Sequence, residues 1–247
     1  MREWIVGRNP VYEVLRANRR QVFRLLVASG AEEKGRLAEI IQIAAAQKVP
    51  VQHVLRSQVD NLGENPQGVG LEASGYPYID IQDIIEHAKE RQQALFVLML
   101  DQVQNPQNLG SLMRTAEAVG VDGIVMPLAR AVGVTPAVVS ASAGASEHLL
   151  VAQSNLSQAI ETFKQEDAWV VGMDGDPKQA KQVGEVPLTG PLVIVVGSEG
   201  EGIHSLVRSS CDFLLRLPMI GKIASLNAAV AGSVALYLAF QARSAQK

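Results

Sequence analysis

Cysteine is nearly missing from this 247-residue chain. Cys211 stands alone, which excludes a disulfide framework and a cysteine-built metal cage. The four histidines, His53, His87, His148 and His204, are scattered without the short spacings of metal ligands. No metal is expected. Long apolar runs are lacking too. The best candidate, 228–240, falls short of the roughly 18 residues of a membrane span and is broken by Gly232 and Ser233. The opening Met1-Arg2-Glu3-Trp4 does not begin a secretory signal. These absences point to a cytoplasmic, metal-free protein with no membrane partner.

The composition that remains, 47% apolar and 19% charged, is that of an ordinary folded protein. The length allows one large domain or two modest ones. The net charge of −3 is unevenly spread. Residues 1–60 hold ten Lys/Arg against six Asp/Glu, whereas 61–93 hold two against six. Arg8, Arg16, Arg19 and Arg20 lie close together in the basic part. They suit either a solvated helix face or a phosphate-binding surface reading RNA, with Arg8, Arg19 and Arg20 as its candidates.

The chain changes texture along its length. Residues 1–75 read as a small α/β domain. Asn9-Pro10 opens a helix, with Asn9 as its cap. Strands are expected at 22–28, 49–55 and 69–73, with a helix at 33–47. Gly75-Tyr76-Pro77-Tyr78 makes a break, and 76–93 reads as a linker carrying an acidic amphipathic helix. From 94 to 247, apolar runs at 95–100, 123–126, 169–173 and 192–196 alternate with helical patterns at 109–119, 155–166 and 225–242. Such alternation predicts an α/β domain with a mostly parallel sheet flanked by helices. Ligands of such sheets sit beyond the carboxyl ends of the strands, so the loops there deserve the closest reading.

Three loops stand out. After 95–100 comes a polar stretch through Asn108, then Leu109, Gly110 and Arg114. Asn108 is either a helix cap or a site residue. Arg114 is either solvent-facing or a holder of phosphate. After 192–196 comes Gly197-Ser198-Glu199-Gly200-Glu201-Gly202. Its spacing differs from the dinucleotide fingerprint, and its two carboxylates would repel a pyrophosphate while suiting ribose hydroxyls, amines or a cationic ligand. That weighs against a nicotinamide enzyme. The third loop runs from Leu217-Pro218-Met219 to Ser225-Leu226-Asn227, where Ser225 suits a cap of the final helix.

Taken together, Asn108-Leu109-Gly110-x-x-x-Arg114, Val196 to Gly202, and Leu217-Pro218-Met219 with Ser225-Leu226-Asn227 resemble the SpoU (TrmH-type) family of knotted RNA methyltransferases. Residues 6–15 look like the start of the substrate-binding domain that precedes the catalytic domain in one subgroup, a fold similar to ribosomal L7Ae. The resemblance implies a parallel sheet whose C-terminal part is tied in a trefoil knot, S-adenosyl-L-methionine as cofactor, and a homodimer with the site near its interface. It implies 2′-O-methylation of a ribose, a guanosine of large-subunit ribosomal RNA in the most similar branch. Cofactor contacts are carried over to Gly197, Leu217, Met219 and Leu226, and the catalytic set to Asn108, Arg114, Glu199, Ser225 and Asn227. The small face of the last helix (Ala228, Ala231, Gly232, Ala235) fits close helix approach, within one chain or between two. The sequence departs from the family at Ala228-Ala229, where Val-Ser is common. A transfer-RNA ribose methyltransferase and a non-catalytic RNA-binding protein remain the alternatives.

Overall fold

The structure, a computed structural model, describes residues 2–176, 178–222 and 225–245. It divides into two compact units: 1–77 with 133–148, and 78–132 with 149–247.

The first unit opens with strand β1 (Arg2–Val6), which the sequence pattern had not announced. Helix α1 (Arg8–Ala17) begins two residues before Pro10, so Asn9 is not its cap. Proline is tolerated there because first-turn amides have no intrahelical partner. Val11, Val14 and Leu15 form its buried stripe, and Asn18 ends it in the left-handed region with its amide on the Val14 carbonyl. Strand β2 (Val22–Ala28), helix α2 (Arg36–Ala46), strand β3 (Val51–Val54), helix α3 (Arg56–Asp60) and strand β4 (Val69–Ser74) follow. The sheet order is β1-β4-β2-β3, with β4 antiparallel to β1 and β2, and β2 parallel to β3.

The second unit begins with helix α4 (Ile81–Glu90), whose Ile84, Ile85 and Ala88 are buried, so the expected linker contains a packed element. Then come β5 (Phe96–Leu100), α5 (Pro106–Ala118) and β6 (Gly123–Met126). The chain next contributes helix α6 (Pro136–Ala141) and a 3-10 turn (Ala145–His148) to the first unit. It resumes with β7 (Val151–Gln153), α7 (Leu156–Lys164), β8 (Trp169–Met173), β9 (Leu192–Val196), α8 (Ser205–Ser210), β10 (Phe213–Leu215) and α9 (Ala228–Ser244). Six parallel strands run in the order β10-β8-β9-β5-β6-β7. Every residue of β5 and β9 is buried, which is why both read as unbroken apolar runs. The small face of α9 packs inside the chain: a Cβ at Gly232 would lie 2.7 Å from Leu112 of α5 and 2.9 Å from Val196 of β9. Among the described residues, no helix is long and apolar enough to cross a membrane, and no group of His, Cys, Asp and Glu is placed to hold a metal.

The excursion 133–148 is anchored electrostatically. Glu147 is buried and takes both arms of Arg20, Nε to Oε2 at 2.8 Å and Nη2 to Oε1 at 2.8 Å. The remaining nitrogen of Arg20, Nη1, donates to Glu3 and to the Ser74 carbonyl, both at 3.0 Å. Burial alone would lower the Arg20 pKa, but the Glu147 and Glu3 carboxylates hold it above its ordinary value. Removing one partner of a buried, fully hydrogen-bonded pair leaves the other charge stranded. Arg20→Ala is therefore expected to destabilise the protein by about 3–5 kcal/mol in urea unfolding. A fragment starting at residue 94 would carry Glu147, Val138 and Val139 without the elements that cover them, and should be poorly soluble.

Candidate active site

Strands β5 and β9 are neighbours, and the chain runs from β5 to one side of the sheet and from β9 to the other. Their outgoing loops therefore leave side by side at the switch point of the sheet. Two hydrogen bonds bind the loops at their roots. Asp101 donates its amide to the Val196 carbonyl at 2.8 Å and accepts the His204 amide on Oδ2 at 2.7 Å. Asp101 is buried directly after β5. The sequence reading passed over it, although its place at a strand end was a usable signal.

Helix α5 starts three residues earlier than the apolar pattern suggested. Its cap is Asn105, whose Oδ1 accepts the Gln107 amide at 2.8 Å, with Pro106 in the first position. Asn108 is thus not a cap and its side chain is available. It donates to Glu199 Oε1 at 2.6 Å. Asn227 donates to the same Oε1 and to Asn108 Oδ1, the latter at 3.2 Å. Asn227, not Ser225, caps α9, because its Oδ1 takes the amides of Ala229 and Val230 at 2.9 and 3.2 Å. One carboxylate oxygen thus gathers all three loops.

The glycine-rich loop is a tight hairpin in which Ser198 and Gly202 exchange backbone hydrogen bonds at 3.0 and 3.1 Å. Gly197 is obligatory: a Cβ there would lie 2.1 Å from the Gly202 carbonyl carbon. Beside the hairpin opens a cleft of about 610 Å³. Gly197, Leu217, Met219 and Leu226 all line it, as do Glu199, Ser225 and Asn227. Leu217 reaches the cleft because β10 stops at Leu215. Ala228, where the family pattern differs, also borders it. Asp174 and Arg208, which the sequence reading missed, form part of the wall and pair at 2.6 Å. Asp174 follows β8 and was findable by the strand-end rule. Ile223 and Ala224 lie outside the described residues. Arg114 stands apart: it is exposed on α5, does not line the cleft, and has no hydrogen bond or ion pair with a described residue.

The basic cluster of the first unit is partly internal. Arg20 is enclosed, with both carboxylate partners inside that unit, so its candidacy as an RNA contact is corrected: no face is left for a phosphate. Arg19 donates to the Tyr76 hydroxyl and the Glu147 carbonyl, each at 3.2 Å. Burial pushes the Tyr76 phenol up to about 12. Arg8 is half-buried, with Nε on the Gln67 carbonyl at 3.3 Å, and borders a polar cleft with Arg56 and Gly30.

Comparisons with known proteins place the stretch that carries these three loops in a family. Residues 95–237 match the SpoU rRNA Methylase family, and residues 4–79 match the RNA 2′-O ribose methyltransferase substrate-binding domain. The chain belongs to the SpoU methylase family. It is thus an RNA methyltransferase of the TrmH-like kind. YacO of Bacillus subtilis, named for the TrmH family of tRNA/rRNA methyltransferases, is 39% identical over 98% of this chain and 96% of its own. The SpoU methyltransferase AviRb from Streptomyces viridochromogenes, solved with its cofactor AdoMet, superposes with a TM-score of 0.79 at 22% identity, covering 97% of this chain and 90% of its own. A TrmH/SpoU tRNA-modifying enzyme from A. aeolicus covers only 67% of this chain and 83% of its own, with a TM-score of 0.56 at 25% identity.

Within this three-loop cluster, Asn227 both caps α9 and holds Glu199, two contacts that substitution can separate. Asn227→Ala loses the cap of α9 and should lower stability by about 1 kcal/mol. Asn227→Asp keeps the cap acceptor but sets a second carboxylate against Glu199. It should retain most of the stability in urea unfolding while losing methyl transfer at least as severely as the alanine variant.

Proposed function

We propose that this SpoU-family enzyme methylates the 2′-hydroxyl of a ribose, a guanosine of large-subunit ribosomal RNA, using S-adenosyl-L-methionine, as a cytoplasmic homodimer. The observation that carries the reading is the Asn108–Glu199–Asn227 cluster bordering a cleft of the right size and chemistry. The cleft lies within the range of small-molecule sites. Leu217, Met219 and Leu226 offer apolar surface for an adenine ring, and the closely folded Gly197 lets backbone approach. The carboxylate of Glu199, on the wall of the cleft, suits a ligand bearing ammonium and sulfonium charge. When bound, S-adenosyl-L-methionine supplies an activated methyl group.

The chain's own residues then have a limited task, because a sulfonium is already a good leaving group and departs as the neutral thioether: hold the ribose, orient its hydroxyl and stabilise the oxygen as its proton passes to solvent water. Asn108 and Asn227, fixed by Glu199, orient the ribose. Arg114 is not normally a base as a guanidinium, so its role here is electrostatic, on the developing alkoxide and the neighbouring phosphate. Its exposure outside the cleft fits a site completed at a dimer face. A face suited to that pairing exists on α9, where Val230, Val234, Tyr237 and Phe240 are each at least 40% exposed. With Ser111 of α5 and Asn227, the first three of these border an apolar groove of about 490 Å³. The trefoil knot implied by the family accords with β10 lying beyond β8 while α9 returns to pack on α5. The match to a substrate-binding domain ahead of the catalytic one supports a large structured RNA over the tRNA reading.

Calorimetry should show binding of S-adenosyl-L-methionine and none of NAD; the reverse preference sinks the reading. Arg114→Ala should keep cofactor affinity and lose on the order of 100-fold in single-turnover methyl transfer, the scale of one preorganised electrostatic contact. Near-normal transfer would return Arg114 to an ordinary surface role. Sedimentation offers a separate check on assembly: Val234→Glu should shift the protein from dimer to monomer and lower activity with it. Mapping ribose methylation in ribosomal and transfer RNA, with and without the gene, decides between those substrates.

A further inference from the structure

A smaller pocket of about 350 Å³ lies between the loop that follows β5 and the glycine-rich hairpin. Gln102, Gln104 and Asn105 line it from the first loop, and Glu199 and Glu201 from the second. Because Glu199 and Glu201 also border the larger cleft, one carboxylate-bearing hairpin serves as a wall of both. Asn108, a member of the Glu199 cluster, lines the smaller pocket as well.

We propose that this pocket receives the base of the target nucleotide, turned out of its stack, and that Glu201 together with the Gln102 and Gln104 amides selects guanine. The inference rests on the ribose-methylation reading above. If Asn108 and Asn227 hold the ribose, the attached base must lie a single bond away, and this pocket adjoins that cluster. Sequence-specific RNA recognition targets unstacked bases and reads their hydrogen-bonding edges.

The lining is divided by hydrogen-bonding type. Carboxylates only accept when ionised, whereas side-chain amides can donate. Glu199 is occupied by the two asparagines, but Glu201 has no hydrogen bond or ion pair with a described residue. Asn105 uses its oxygen as the cap of α5, which leaves its amide nitrogen to donate. Gln102 holds a left-handed backbone with φ of 59°, uncommon for a residue with a side chain. The following Val103 is buried and accepts the Val132 amide at 3.1 Å, which fixes this part of the loop. Gln104 donates to the Arg130 carbonyl at 3.4 Å, a long contact that an incoming acceptor can displace. Guanine alone among the four bases carries two adjacent N–H donors on its Watson–Crick edge, matching a carboxylate. Its O6 and N7 are acceptors, matching the amides. Adenine and cytosine would set a ring-nitrogen acceptor against Glu201, and uracil would set a carbonyl there.

The test uses the full-length enzyme with tritiated S-adenosyl-L-methionine and bulk RNA from cells lacking the gene. After digestion, the labelled nucleoside should be 2′-O-methylguanosine. Label in another 2′-O-methylnucleoside overturns the base pocket and the guanosine target while leaving ribose methylation standing; no ribose label in any RNA overturns the ribose-methylation reading and the pocket with it. A synthetic hairpin spanning the mapped site then carries guanosine or inosine, which lacks the 2-amino donor. The wild type should prefer guanosine about 10-fold or more in kcat/KM, and Glu201→Gln should lose about 10- to 100-fold on guanosine while discriminating little between the two. Its affinity for S-adenosyl-L-methionine should stay within about 3-fold of wild type. A large fall in that affinity, or a guanosine preference kept intact, assigns Glu201 elsewhere and overturns the proposal.

Discussion

A single carboxylate oxygen organises the site. Glu199 Oε1 accepts from Asn108, 91 residues earlier, and from Asn227, 28 residues later. That convergence is possible only because β5 and β9 are adjacent parallel strands, in register from Phe96 opposite Leu192 to Leu100 opposite Val196. Their loops must exit together, and Asp101 locks them at the root through the Val196 carbonyl and the His204 amide. The third loop is brought in by its last residue. Asn227 starts α9 with its oxygen and reaches Glu199 with its nitrogen, so the beginning of the helix and the geometry of the site are one feature. A hydrogen-bonded group of this kind is held rigidly, and its members act together rather than additively.

The sheet supplies the stiffness behind that arrangement. Buried apolar strands on both sides of the switch point leave no room for the loop roots to drift. Helix α9 lies close against α5 and β9 because Gly232 offers no side chain at the crossing. Its small-residue face therefore serves packing within the chain, and the face left exposed is a different one, carrying Val230, Val234 and Tyr237. Cys211 lies partly buried against the core beside Gly172 of β8, and burial pushes its thiol up to about 12, which disfavours the reactive thiolate.

Charge in the first unit works differently from its appearance as a string of letters. Four arginines within a short stretch read as a basic surface, yet Arg20 neutralises Glu147 and Glu3 inside the fold, and Arg19 braces the Tyr76 hydroxyl. Desolvated charges need such partners, and once they have them they are unavailable to phosphate. Arg16 stays exposed, and Arg8 borders a polar cleft with Arg56, so the positive surface of this unit is smaller than the sequence count suggests.

Several features were legible in the amino-acid sequence. Apolar runs alternating with helical stretches announced the parallel sheet, since strands covered on both faces have no polar side to show. The three loops, Asn108 to Arg114, Gly197 to Gly202 and Leu217 to Asn227, could be found because chemistry in such sheets collects at strand ends. Their residues carried the family resemblance, and the family is the one to which the chain belongs. Other features were decided only in three dimensions. Caps at Asn105 and Asn227 displaced those suggested by Asn108 and Ser225, because a cap depends on where the backbone turns and not on which polar residue stands nearest. The placement of 133–148 with the first unit, and the burial of Arg20 against Glu147, 127 residues away, left no local trace. Periodicity reports which face of an element is apolar; it does not report which distant side chain will neutralise a charge or complete a hydrogen bond, since those partners meet only once the whole chain has folded.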